Sequence, residues 1–172
     1  MNGIACIQLF LALVLVTSAL PKLTGLKAFK ITLKRLGVAD NLVLLAAGIP
    51  LLELAAAILI LVSPLRFAGE VVILALLGCF LWATYKGMTG KSPVECSCFG
   101  SLTSETFGWT TLARIAVMLA LDLILVFIPD AAGLADASLA QTLLYLTLSI
   151  SALLFYILYQ TIQTYLNLLL EK

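Results

Sequence analysis

Five long apolar stretches, joined by short connections, constrain this chain more than any other feature of its sequence. Of the 172 residues, 63% are hydrophobic and 11% are charged, and the mean hydropathy is +1.16. A soluble domain of this length needs far more charge on its surface, so lipid must surround most of the chain. Backbone groups in lipid have to be satisfied within the protein, and the alternation of barrel strands is missing. We therefore predict an all-α, multi-pass membrane helix bundle.

The apolar stretches predict about five transmembrane helices in a single integral membrane domain, residues 1–172. The predicted spans are residues 4–20, 42–62, 67–85, 111–128 and 139–165. Pro21 is expected to end the first span. We interpret that stretch as a span rather than a cleaved signal peptide, because Met1-Asn2-Gly3 carries no positive side chain. The last apolar run continues to about residue 170, longer than a bilayer requires, so it is predicted to project beyond the membrane.

Residues 22–37 differ from the spans because they are amphipathic. Apolar side chains recur at helical spacing at positions 23, 26, 29, 33 and 36, while Lys27, Lys30 and Lys34 share another face. This pattern predicts an interfacial helix, bound by apolar insertion and by attraction to lipid headgroups. A solvated basic loop is the alternative interpretation.

Residues 86–109 form the only sizeable polar connection, and it carries two thiols one residue apart, Cys96 and Cys98. A disulfide within Cys-x-Cys closes a very small ring, so it should be strained and easily reduced, which suits exchange better than structural bracing. Lys86 and Lys91 favour a thiolate here, and Glu95 opposes it. Two unreactive, reduced cysteines in a polar loop are the alternative.

The other two cysteines differ in their position relative to this loop. Cys79 lies about two turns before Lys86, roughly 10 Å below the loop, and is a candidate resolving thiol; the alternative is a small hydrophobe in an apolar helix. Cys6 is expected at the opposite membrane face. Two thiolates suit a soft ion such as Cu(I), but a closed zinc site needs four ligands and the chain has no histidine, so we predict no metal site.

Apart from Glu70, which lies near a membrane edge, three charged residues fall within the predicted spans, where ionisable groups are expensive and point to function. Glu53 and Asp122 each lie about 11 residues into spans that run in the same direction, so their carboxyls should share a similar depth and would suit a proton relay if they face each other. Arg114 lies one turn into its span on the side of the thiols. It is a candidate for binding a quinone headgroup or a carboxylate, and snorkelling to the interface is the alternative.

The residues above resemble the methylamine utilisation MauE family, which belongs with the DoxX-like membrane proteins. The likeness covers roughly residues 8–128. Four stretches carry it: Thr17-Ser18-Ala19-Leu20-Pro21-Lys22-Leu23 followed by Phe29 and Leu36-Gly37; Pro50-Leu51-Leu52-Glu53-Leu54; Glu95-Cys96-Ser97-Cys98-Phe99-Gly100; and Trp109-Thr110-Thr111-Leu112-Ala113-Arg114.

The resemblance implies a bundle related in character to the DsbB and vitamin K epoxide reductase group, and a role in forming or handling disulfides in a partner protein. By that resemblance Cys96 and Cys98 are the exchanging pair, with Arg114 close to them. The implied partner is a secreted client or a thioredoxin-fold protein. The chain departs from the DsbB pattern, since it has no Cys-x-x-Cys and no second pair in a soluble loop.

The resemblance implies a location in the plasma (inner) membrane, but two signals conflict over which membrane face holds the cysteine loop. Disulfides persist on the periplasmic or extracellular face, which the resemblance implies for the cysteine loop. The positive-inside rule predicts the cytoplasmic face, because most basic residues lie on the side of the loop. We favour the outer face, since charges in an interfacial helix are weaker topological evidence than charges in free loops.

Three function classes remain open from the sequence. The leading hypothesis is a membrane thiol–disulfide protein, a thioredoxin- or quinone-linked oxidoreductase acting through Cys96 and Cys98. The second is a non-catalytic subunit of a larger membrane complex, with the aromatic residues of the last span at an interface. The third is a soft-metal-binding membrane protein. A net charge of +1 gives no electrostatic case for nucleic acid.

Overall fold

Six α-helices make up most of the computed structural model of the chain, which describes residues 3–37, 42–89, 95–96, 105–106, 109–128 and 138–170. Side chains are described in these ranges except at 95–96, 105–106, 160 and 163–170. The helices are α1 Gly3–Thr24, α2 Leu26–Arg35, α3 Leu42–Leu61, α4 Arg66–Thr89, α5 Trp109–Phe127 and α6 Leu139–Leu170, with a short 3-10 helix at Ser63–Leu65.

Five of these helices, α1 and α3 to α6, are long and apolar enough to cross a membrane. The prediction of an all-α bundle with five spans and one further helix is confirmed, and the chain is a multi-pass membrane protein. Helix α6 has 32 residues, which is about 48 Å of helix at 1.5 Å per residue. It therefore exceeds the roughly 30 Å hydrocarbon core of a bilayer, as the sequence predicted.

Pro21 does not end the first helix, contrary to the sequence prediction. Helix α1 continues through Pro21 to Thr24, and the chain turns at Gly25, whose N–H donates to the Pro21 carbonyl at 2.8 Å. A proline costs a helix one backbone hydrogen bond, a loss that neighbouring helices and side chains can offset inside a membrane bundle. Lys22 consequently belongs to α1, and the predicted interfacial helix shortens to α2, Leu26–Arg35.

Helix α2 has the amphipathic character predicted for it. Phe29 and Leu33 are buried and pack with Ala46 of α3, whereas Lys27 and Lys34 are exposed. The helix ends at Arg35 and is followed by Leu36 and by Gly37, whose φ of +79° is a left-handed conformation that favours glycine. Lys86 of α4 contacts the C-terminal end of α2: its Nζ donates a hydrogen bond of 3.1 Å to the Leu36 carbonyl. The same Nζ lies 4.8 Å from the centre of the Trp82 ring.

Helix α1 is the centre of the bundle, in contact with α3, α5 and α6. Helix α4 returns beside α3, and the two helices pack closely at Gly69, where a Cβ atom would lie 2.7 Å from the Ile60 nitrogen. Helix α5 packs on α4 and α1, and α6 packs on α1. Helices α5 and α6 meet through the side chains of Arg114 and Tyr156.

A short antiparallel ladder of Glu95–Cys96 with Glu105–Thr106 lies on the connection between α4 and α5. Glu95 is opposite Thr106 and Cys96 is opposite Glu105. The ends of α1 and α4 and the start of α5 lie on the same side of the bundle as this ladder, and we call that side the ladder face. The predicted polar connection is shorter than expected, because α4 extends to Thr89 and takes in Lys86.

Candidate functional site

A cavity of about 530 Å³ lies between α1, α4, α5 and α6. Its deep walls are apolar and include Phe10 and Val14 of α1, Ile73 of α4 and Met118 of α5. Phe10 lies 14 residues before the end of α1, so the cavity reaches roughly 20 Å into the bundle from the ladder face. Most of its polar lining is at the ladder end of these helices, supplied by Ser18, Lys22, Thr84, Thr110, Thr111, Arg114, Tyr156 and Tyr159.

One side of the polar end is a buried ion pair that joins α1 to α3. The Lys22 Nζ donates a hydrogen bond to Glu53 Oε1 and another, of 2.9 Å, to Ser18 Oγ. The side chains of Lys22 and Glu53 are fully buried. Lys22 Nζ also lies 4.6 Å from the centroid of the Phe80 ring, a favourable cation–π distance. The ammonium charge thus has a counter-ion and an aromatic face within the hydrocarbon layer.

The sequence prediction treated Lys22 as part of the interfacial helix and did not find this pair. Glu53 is 31 positions away, so no local pattern joins the two residues. A weaker signal does exist: Ser18 and Lys22 are four residues apart, which places two polar side chains on one face of an otherwise apolar helix. That face is the one that meets Glu53.

The other side of the polar end is built by α5 and α6. The Arg114 guanidinium carbon lies 4.8 Å from the centre of the Tyr156 ring, and both residues line the cavity. Thr111, one turn before Arg114, is 6% exposed, and its Oγ1 has no hydrogen-bond partner among the described residues. The Tyr156 hydroxyl is likewise buried and has no hydrogen-bond partner among the described residues. Sequence reasoning selected Arg114 but gave no reason to select Thr111 or Tyr156.

The predicted thiols divide between described and undescribed residues. The backbone of Cys96 belongs to the ladder, while Cys98 lies outside the described residues. Cys79 is a free thiol on an exposed face of α4 and does not line the cavity, and Cys6 is a free, half-buried thiol on α1. The roles of Cys96, Cys98 and Cys79 in exchange therefore stay predictions.

The two predicted relay carboxyls have different surroundings. Glu53 binds Lys22 and Ser18, as described above. Asp122 is fully buried on α5, neither of its oxygens has a hydrogen-bond partner among the described residues, and it lies within electrostatic range of Glu70. Glu70 itself accepts a hydrogen bond of 2.7 Å from Arg66 Nε. A relay through Glu53 and Asp122 stays a prediction.

Arg66 also ties α4 to the end of α5. Its Nη2 donates to the carbonyls of Leu125 at 2.7 Å and Ile128 at 3.2 Å, which are among the last carbonyls of that helix. A guanidinium at a helix C-terminus satisfies carbonyls that have no partner within the helix and opposes the negative end of its dipole. Arg66 is thus a structural group at the face opposite the ladder.

Comparison with known proteins identifies the family. The family model described as methylamine utilisation protein MauE matches residues 2–128, well over half of the chain. Methylamine utilization protein MauE of Paracoccus denitrificans is 30% identical over 120 residues, which are 68% of this chain and 64% of that protein. The match thus spans slightly less than two thirds of that relative. No solved structure matches the chain. The fold, the cysteine turn and the family match together place the chain in the MauE family of membrane proteins.

Proposed function

We propose that this chain is a membrane thiol–disulfide protein that forms or relays disulfides during the maturation of a partner protein. One observation carries the proposal: the connection that bears Cys96 and Cys98 joins α4 to α5, the two helices that supply Thr84, Thr111 and Arg114 to the polar end of the cavity. A redox pair on that connection would lie between a partner protein outside the membrane and a cavity inside it.

The proposed exchange conserves electrons and protons. A thiolate of a reduced client attacks one sulfur of the Cys96–Cys98 disulfide, forming a mixed disulfide and releasing the other cysteine as a thiolate. The second client thiolate then attacks the client sulfur of the mixed disulfide, so the client is oxidised and the Cys96–Cys98 pair is reduced. Two electrons and two protons then pass to an acceptor, either a disulfide of a thioredoxin-fold protein or a quinone, which becomes a quinol.

The relative from Paracoccus denitrificans is named as a methylamine utilization protein. We extend that role to this chain as part of the proposal, so the client would be a secreted protein of methylamine utilisation. Because disulfides persist outside the cytoplasm, we place the chain in the plasma membrane with the cysteine connection on the periplasmic or extracellular face.

The basic residues predict the opposite orientation, and the structure sharpens that conflict. Lys22 and Arg66 are buried and ion-paired, so neither counts as a loop charge. The exposed charges of α2, such as Lys27 and Lys34, remain on the ladder side. Under the positive-inside rule this side would be cytoplasmic.

Labelling of intact cells tests chemistry and orientation together. A membrane-impermeant thiol reagent is applied before and after mild reduction, and labels on Cys96 and Cys98 are read by peptide mass. We expect both cysteines to be labelled only after reduction, and Cys96→Ser to leave Cys98 labelled without reduction. Cys79→Ser tests the resolving role: if Cys79 forms a disulfide with Cys96 or Cys98, a peptide cross-linked through Cys79 should be found in the unreduced wild type and be absent from the variant. Labelling only after lysis, without reductant, would contradict the proposal.

A second candidate function, a subunit of a larger membrane complex, is favoured by the exposure of α6. Phe155 is 73% exposed and Tyr159 is 56% exposed, and only 17% of this span is buried within the chain. A purely structural subunit would co-purify with its complex in fixed stoichiometry even as the Cys96→Ser/Cys98→Ser double variant. Loss of client disulfides in that variant, with co-purification unchanged, would exclude the purely structural role.

A further inference from the structure

The cavity opens sideways, between α5 and α6. Every strongly exposed residue in its lining belongs to these two helices: Thr110, Ala113, Val117, Ala152 and Tyr159. The lining residues of α1 and α4 are buried or half-buried. Both flanking helices are candidate membrane spans, so the opening faces the hydrocarbon layer rather than water.

We propose that this opening is a portal through which the cavity binds a lipophilic molecule from the bilayer, with an apolar body and a head that carries carbonyl or carboxylate oxygens. The inference does not rest on the proposed thiol chemistry, because it uses only the described residues of α1, α4, α5 and α6. It assigns binding roles to Thr111 and Tyr156, which the sequence did not suggest.

The volume and walls of the cavity fit the body of such a ligand. Sites for small molecules typically occupy about 300–1,000 Å³ and are lined mainly by apolar side chains, and this cavity of about 530 Å³ lies within that range. Leu15, Leu76 and Ile115 form walls well away from the ladder face. An apolar chain or ring would replace lipid there at little cost, while a polar body would lose its hydration.

The polar end of the cavity determines which hydrogen-bonding groups the head of the ligand must carry. Thr111 Oγ1 and the Tyr156 hydroxyl are buried oxygens without hydrogen-bond partners among the described residues, and each can donate a proton. The guanidinium of Arg114 lies against the same tyrosine ring and donates only. A ligand oxygen that accepts from these groups would satisfy buried hydroxyls that otherwise cost free energy.

The charged side chains in the described lining of the cavity are both cationic and disfavour a cationic head. That described lining contains Lys22 and Arg114 but no carboxylate. Glu53 on α3 is the counter-ion of Lys22, but it does not line the cavity. The electrostatic environment therefore favours a head that is neutral with acceptor oxygens, such as a quinone ring, or anionic, such as a fatty acid.

Photolabelling of the full chain tests the portal. The protein is purified, reconstituted in phosphatidylcholine vesicles and irradiated with an azido-quinone or a diazirine-bearing palmitate, and labelled peptides are mapped by mass. We expect at least one probe to label peptides of α5 and α6 that line the cavity, in competition with the unlabelled compound. The probe that is competed specifies the head as carbonyl or carboxylate.

Variants separate cavity binding from contact with bulk lipid. Ala113→Phe places a ring in the portal and should lower labelling at least about tenfold, whereas Ala116→Phe, on an exposed part of the same helix outside the lining, should leave it unchanged. Thr111→Val and Tyr156→Phe should each weaken competition by about 3–10-fold, the loss of one hydrogen bond, with Tyr85→Phe as the control.

Labelling that is equal in Ala113→Phe and Ala116→Phe would overturn the proposal, and so would labels spread evenly over the outer faces of all helices. Failure of both probes to label the cavity would also overturn it. Correct folding of each variant is checked by its unfolding midpoint in detergent.

Discussion

The first three spanning helices, α1, α3 and α4, are more buried within the chain than the last two, α5 and α6. In their membrane-spanning segments, half of α1 and a third of α3 and of α4 are buried within the chain, against 22% of α5 and 17% of α6 within Leu139–Tyr159. The first group closes on itself through Gly69 and the Lys22–Glu53 pair. Helices α5 and α6 each pack on the first group, contact each other through Arg114 and Tyr156, and border the cavity together with α1 and α4.

This difference separates the part of the bundle that provides stability from the part that can bind ligands. In the closely packed half, the buried charges Lys22 and Glu53 are paired, and Glu53 Oε2 is left without a hydrogen-bond partner among the described residues. In the open half, Thr111 Oγ1, the Tyr156 hydroxyl and both Asp122 oxygens have no hydrogen-bond partner within the described residues. Buried polar groups in native proteins are normally satisfied, so an unsatisfied group needs a specific explanation, such as a ligand or a proton.

The largest effect is expected from breaking the Lys22–Glu53 pair. Glu53→Leu leaves a buried ammonium without a counter-ion, and removing one partner of such a pair costs about 3–5 kcal/mol of unfolding free energy. The Lys22→Met/Glu53→Leu double variant removes both charges and should recover most of that loss. The measurement is reversible unfolding by SDS in mixed micelles. A double variant as unstable as the single one would show that the loss does not come from an unpaired buried charge.

Arg66→Leu should have a smaller but substantial effect. It leaves Glu70 without its guanidinium and removes the donor to the Leu125 and Ile128 carbonyls, at a cost of about 2–4 kcal/mol. The cost is lower than for Glu53 because the Arg66 side chain is 10% exposed and lies at a helix end. Arg66→Lys should recover only part, since an ammonium cannot reproduce the forked contacts. Equal unfolding free energies for wild type and Arg66→Leu would refute this link.

Two glycines of α4 test the close packing of the first group within one helix. At Gly69 a Cβ would lie 2.7 Å from the backbone nitrogen of Ile60, so Gly69→Ala must separate α3 from α4 and should cost about 1–3 kcal/mol. At Gly78 a Cβ would meet nothing within 4 Å, so Gly78→Ala should be neutral or stabilising by up to about 1 kcal/mol. The same SDS titration compares them, and equal effects would contradict the close approach.

The smallest effect on stability is expected at Asp122. Neither of its oxygens has a hydrogen-bond partner within the described residues, so Asp122→Asn removes no hydrogen bond and should change the unfolding free energy by less than about 1 kcal/mol. If Asp122 relays protons, as the sequence predicted, the same variant should still slow disulfide formation in the client. Full client oxidation with Asp122→Asn would remove Asp122 from the relay.

The fold was predictable because hydropathy is a local property. Each span is an apolar run long enough to cross a bilayer, so the sequence specified five spans and the excess length of the last one without knowledge of their contacts. The amphipathic pattern of α2 was equally local, and the helix buries the predicted Phe29 and Leu33. Only the ends shifted, since the helical path through Pro21 depends on packing around it.

Only the tertiary structure decided the contacts between helices, which depend on the orientation of each helix about its own axis. Helices α1, α3 and α4 are apolar on nearly all sides. Their sequences therefore contain no single hydrophobic stripe that predicts which face of each helix packs against a neighbour. The partner of Glu53, the close approach at Gly69 and the cavity between α5 and α6 all follow from those orientations. The sequence by itself thus determined which segments enter the lipid and proposed candidate residues such as Glu53 and Arg114. Packing determined which side chains meet, because contacts between residues distant in the chain arise only when the helices assemble.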